Sequence, residues 1–110
     1  MKTIQNLTPH TVNIVMPDGE ILVLAPAGPA PRLAVTRETL PDLLTDRGSI
    51  SISRPTMGAV EGLPDPVDGV VLVVSALVAG AVKRPDVLSP GELVRDSGGA
   101  VVGCRGLCAY

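Results

Sequence analysis

The sequence predicts an α+β fold dominated by sheet, mostly antiparallel, with about six or seven short strands and one or two short helices. Two observations carry this. Short apolar runs of strand length recur along the chain, and most of the 12 glycines and 11 prolines fall between them, as turns and connectors require. Phe and Trp are absent and Tyr occurs once, so the expected core is built from Val, Leu, Ile and Ala. Residues 1–110 read as a single domain.

The elements follow in order. In "TVNIVMPDGEILVL", Val12, Ile14 and Met16 alternate with Thr11 and Asn13, the period-2 pattern of a strand with one buried face. Pro17-Asp18-Gly19 supplies a turn, and Ile21–Leu24 returns with apolar residues on both faces, predicting a hairpin whose second strand is central. "APAGPAP" is a rigid connector, because its prolines withhold ladder donors. "RLAVT" predicts a strand. "TLPDLLTDRG" predicts one or two helical turns, with Thr39 as cap, Pro41 in the first turn and Gly48 as terminator. "SISIS" alternates cleanly and predicts a half-exposed strand near a sheet edge, followed by a long loop in "MGAVEGLPDPVDG". "VVLVV" is apolar at every position, the mark of a strand covered on both faces. The small residues of "SALVAGAV" predict a short helix on the sheet, and Ser97-Gly98-Gly99 a second hairpin.

Composition narrows the partners. A net charge of −2 gives no overall positive field for a nucleic acid polymer or an anionic membrane. The lack of Phe and Trp removes the stacking platforms of single-strand binders. No segment reaches the roughly 18 apolar residues of a membrane span, and "MKTIQNLTPH" lacks the apolar stretch of a secretory signal, so the expected location is cytoplasmic. A small core without large aromatics predicts a homo-oligomer. Cys104 and Cys108 are spaced one residue too far apart for a C-x-x-C redox motif and read as structural thiols. No metal or cofactor pattern and no catalytic constellation occurs: H-E-x-x-H, G-x-S-x-G and the Walker loop are all missing, and His10 has no second histidine.

The candidate site is a ligand-binding one. His10, the only histidine, follows Pro9 in "NLTPH", where Asn6 and Thr8 can bond nearby backbone. It reads either as part of a buried turn tied by side chains or as a phosphate contact. Ser75 stands between a buried strand and a helix start, where it either caps the helix or joins an anion site. Seven arginines against two lysines suit planar recognition of phosphate, with Arg54, Arg84 and Arg95 as the candidates and Arg105 beside the last hairpin; the alternative is that "RPD" at 84–86 and "RD" at 95–96 are local ion pairs or turn formers.

"NLTPHTVNI", "GAVEGLP", "VVLVVSALVAGAV", "KRPDVLSPGELVRDSGG" and "VVGCRGL" together resemble a family of small proteins from bacteriophages and actinobacterial genomes that begin N-L-T-P-H and share a strand-S-A-L-V-A motif. The likeness covers nearly the whole chain, departs at residues 37–50, and implies kinship rather than chemistry. A looser analogy, by genomic setting, is to phage proteins that sequester host nucleotide immune signals. The expected function is therefore capture of a small phosphate-bearing, nucleotide-type ligand by Asn6, Thr8, His10, Arg54, Ser75, Arg84 and Arg95, in the host cytoplasm if the protein is phage-encoded. The alternatives are a phosphodiesterase using His10 as acid or base, and a structural or host-interaction module without a small ligand.

Overall fold

Eight strands and one helix make up the chain: β1 (Thr3–Asn6), β2 (Val12–Val15), β3 (Ile21–Leu24), β4 (Arg32–Thr45), β5 (Gly48–Glu61), β6 (Val70–Val73), α1 (Ala76–Val82), β7 (Val87–Arg95) and β8 (Val101–Cys108). The computed structural model describes all 110 residues. Six strands form one sheet in the order β1-β6-β7-β8-β2-β3, and β4 and β5 form a separate two-stranded sheet. The ends of the large sheet meet. Asn6 of β1 bridges to Pro26 just after β3, and the Ala27 amide donates to the Asn6 carbonyl at 2.8 Å, so the sheet curls into a nearly closed barrel.

This corrects the α+β expectation. Strands hold 56% of the residues and helix only 6%, so the fold is β-rich with a single short helix. Nor is the large sheet mostly antiparallel. β1–β6, β6–β7 and β8–β2 pair parallel, and only the hairpins β2–β3 and β7–β8 run antiparallel. Hairpins announce themselves through local turns, whereas the parallel pairs join segments far apart in sequence.

The hairpins form where the turn chemistry places them. In the first, the Gly19 amide donates to the Met16 carbonyl at 2.9 Å, with Gly19 at φ +88°, and the Asp18 carboxylate accepts from the Glu20 amide at 3.0 Å. β3 is not the central strand that its apolar run implied. It ends the sheet order, and its Ile21 and Val23 are 58% and 61% exposed, while Leu24 packs on the buried Val12, Ile14 and Cys104. In the second hairpin, Asp96 closes the turn by accepting from the Gly98 and Ala100 amides.

The main core lies where α1 covers β6 and β7. Leu7, Leu72, Val74, Val78, Ala79 and Val87 form one buried cluster. Val73 and Val74 are both fully buried, so the end of "VVLVV" is covered on both faces as its composition predicts. Ser75 caps α1, its hydroxyl accepting from the Val78 amide at 3.3 Å, and Lys83 ends it in the left-handed region at φ +50°.

The segment predicted as strand, helical turns, strand and loop is instead one long hairpin. β4 and β5 have 14 residues each, turn at Asp46-Arg47, and pair from Arg32↔Glu61 to Thr45↔Gly48. The predicted helix is the distal part of this arm. Its base is anchored by Val60, which packs on the main core; most of its length is exposed. With the arm, the molecule measures 58 × 40 × 21 Å. Its radius of gyration of 18.1 Å exceeds the value of about 13 Å typical of a compact chain of this length.

Candidate functional site

The "NLTPH" stretch is a closed hydrogen-bond knot. Asn6 is 1% exposed and spends its whole amide: Nδ2 donates to the carbonyls of His10 and Leu24, both at 2.8 Å, and Oδ1 accepts from the Thr8 amide at 2.9 Å. The buried Thr8 hydroxyl lies 2.6 Å from Asn6 Oδ1 and 2.8 Å from the His10 carbonyl, sharing its proton between two acceptors. Asn6 therefore ties β1 to the end of β3 and to the turn entering β2, at the seam where the barrel closes. His10 takes part through its backbone carbonyl, and its residue is exposed.

The other predicted residues are scattered. The Ser75 hydroxyl is engaged in capping α1. Arg84 makes a two-pronged contact with Asp86 at 3.0 and 2.6 Å and donates to the Pro64 carbonyl at 3.1 Å, clamping the loop after the arm to the turn before β7. This pairing lowers the Asp86 pKa and raises that of Arg84, mainly through the side-chain hydrogen bonds between them. Arg95 donates to the Gly99 carbonyl within its own turn. Arg54 lies far out on the arm, 3.6 Å from Glu38, both well exposed. Asn6, Thr8 and His10 are thus brought together by hydrogen bonds, whereas Arg54, Ser75, Arg84 and Arg95 each serve a local contact. None of the seven lines a cavity.

The largest cavity, about 610 Å³, opens at one mouth of the barrel. Its wall is apolar, from Ile4 of β1, Ile14 of β2, Leu22 of β3 and Leu107 of β8. Met16 and Pro17 of the first hairpin and Arg105 of β8 complete it. Arg105 is exposed, and neither of the two ion pairs in the chain involves it, although Glu92 faces it across the β7–β8 ladder. Its position depends on a close backbone approach. A Cβ on Gly91 would collide with the carbonyl oxygens of Arg105 and Gly106, and Gly106 itself sits at φ +65°. These residues escape a linear reading because they come from four strands, and Ile4 and Leu22 become neighbours of Arg105 only once the barrel curls. The visible signal was Arg105 beside a glycine in "GCRGL".

No group of three or more His, Cys, Asp and Glu side chains is placed to hold a metal ion. No helix is long and apolar enough to cross a membrane. No family model matches the chain, and neither a curated protein nor a solved structure matches it.

Proposed function

We propose that the protein binds a small anionic ligand with a flat apolar part, of the nucleotide type, in the mouth of its barrel. The observation that carries this is an apolar cavity of about 610 Å³ that has Arg105, a residue in neither ion pair of the chain, in its lining. That volume falls within the roughly 300–1,000 Å³ of small-molecule sites, which are mostly apolar with a few polar groups that orient the ligand. Ile4, Ile14, Leu22 and Leu107 face the apolar part, and the Arg105 fork takes the phosphate. The cavity is lined by no carboxylate, imidazole, hydroxyl or thiol side chain, which favours holding a ligand over cleaving it. The looser analogy, by genomic setting, to phage proteins that sequester host nucleotide signals gives a role in which retention alone is useful.

The test is retention on a filter with a panel of cyclic and ADP-ribose-type nucleotides, followed by heating to release what was held. Intact ligand recovered after heating is expected. Arg105→Gln should weaken binding by about 10- to 100-fold, the equivalent of one hydrogen bond to a charged group. Altered ligand makes the protein an enzyme. Unchanged affinity in Arg105→Gln, or no retention of any of these ligands, overturns the assignment.

A further inference from the structure

The β4–β5 arm is a conspicuous unexplained feature of the molecule. An isolated two-stranded hairpin is at best marginally stable in water. This one runs 14 residues per strand, yet only its base reaches the main core. Its apolar residues lie on both faces, Val35 and Met57 on one side and a cluster of four at the tip of the other. In the cross-strand register Leu40 faces Ile52 and Leu43 faces Ile50, and the shift between the two pairs keeps all four on one face of the tip. Leu43 and Ile50 are each 52% exposed. Leu44, paired with Ser49, points to the opposite face.

We infer that the arm is a clasp for a second copy of this chain, each copy laying its arm on the body of the other around a twofold axis. Charge favours a copy of itself as the occupant. Residues 32–61 carry four arginines (32, 37, 47 and 54) and four acids (38, 42, 46 and 61), so the arm is neutral and the net charge of −2 resides on the rest of the chain. Two identical arms, or an arm and another body, therefore meet without like-charge repulsion along the arm, and the arm presents no basic stripe for nucleic acid or an anionic membrane. Area decides how they meet. A 14-residue ribbon is about 46 Å long, so one face about 10 Å wide offers roughly 460 Å². Arm against arm alone covers about 900 Å² in all, short of the roughly 1,200–2,000 Å² of a stable interface, whereas two reciprocal arm-on-body contacts reach it. A copy of the same chain is also present whenever the arm is, which a marginal hairpin needs.

Light scattering coupled to size exclusion, from 5 to 200 µM, tests this on the intact chain. The wild type should run at twice the 11.3 kDa chain mass or a larger multiple. The double variant Leu43→Asp, Ile50→Asp should fall to the chain mass while its circular dichroism keeps the barrel signature, since both positions are exposed. Leu44→Asp, on the other face, should stay assembled. Amide exchange of residues 36–54 should be slow in the wild type and fast in the double variant. A wild type of single-chain mass throughout, a double variant that stays assembled, dissociation by Leu44→Asp alone, or assembly only with co-purified nucleic acid or a different protein each overturns the proposal. Ligand retention by the Arg105 cavity is read separately, so failure of one assignment leaves the other standing.

Discussion

At the residue scale, the turn at the barrel seam is tied by the side chains of Asn6 and Thr8 and not by the imidazole of His10. Asn6 satisfies two carbonyls and an amide at the barrel seam, all from a buried position, whereas His10 contributes only its main chain. Asn6→Ala takes the side-chain partner from the Leu24 carbonyl and the Thr8 amide and leaves the His10 carbonyl with the Thr8 hydroxyl alone. At about 1–3 kcal/mol for each unsatisfied buried group, partly relieved by relaxation, the expected loss is about 2–4 kcal/mol. His10→Ala removes an exposed side chain and should change stability by less than about 0.5 kcal/mol. Denaturant titration of the two variants checks this, and an equal loss in both would refute the division of roles. The sequence made the knot partly legible. Asn6, Thr8 and the Pro9-restricted backbone mark a side-chain-tied turn, but a string of residues does not reveal that a histidine's carbonyl, not its ring, is the bonded group.

At the element scale, the arm shows where reading by caps fails: Thr39, Pro41 and Gly48 fit a helix's cap, first turn and end, yet they lie in β4 and at the start of β5, and the apolar spacing between them does not correct the error. Leu40, Leu43 and Leu44 recur at i, i+3 and i+4, the spacing of a helix face. Here the three-residue step comes from a β-bulge, which advances β4 by three residues while β5 advances by two, and so returns Leu43 to the face of Leu40. Helix and bulged strand share that spacing, so the pattern alone cannot separate them. The capped helix and the two tight hairpins were legible because their signals are local. A second consequence at this scale concerns the clamp between the loop after β5 and the turn before β7. Asp86 has a lowered pKa, chiefly because Arg84 donates to its carboxylate, so its ionised form is the one the fold favours. Such a group adds stability above the ordinary aspartate value of about 3.9, and that stability is lost as pH falls through the lowered folded value. Asp86→Asn should therefore cost about 1–2 kcal/mol at pH 7, and the gap to wild type should close as pH falls below about 4. A gap that persists unchanged at pH 2–3 would show that the carboxylate charge is not what the clamp uses.

At the scale of the whole molecule, what was hidden is closure. β2, β3, β6 and the β7–β8 hairpin have sequence signatures and β1 was missed, but their order places β6 beside β1 and β8 beside β2 through parallel pairings that no turn announces. The Arg105 cavity is a product of that order and inherits its illegibility. Only 14 of the 110 residues are buried, and the molecule is far more extended than its length requires, so the proposed contacts between copies would add to a small core. If folded protomers are held as a clasped dimer, unfolding releases two chains, and mass action makes the melting temperature depend on concentration. A tenfold rise in concentration adds RT ln 10, about 1.4 kcal/mol per dimer. At about 2.1 cal/mol/K per residue over two chains of 110 residues, this shifts the midpoint by about 3 °C. Calorimetry at 2 and 200 µM should therefore give midpoints about 6 °C apart for the wild type and coincident ones for the Leu43→Asp, Ile50→Asp double variant. Coincident wild-type midpoints over that hundredfold range would mean that the protomer folds without its partner, and that the arm is held by something other than a second copy.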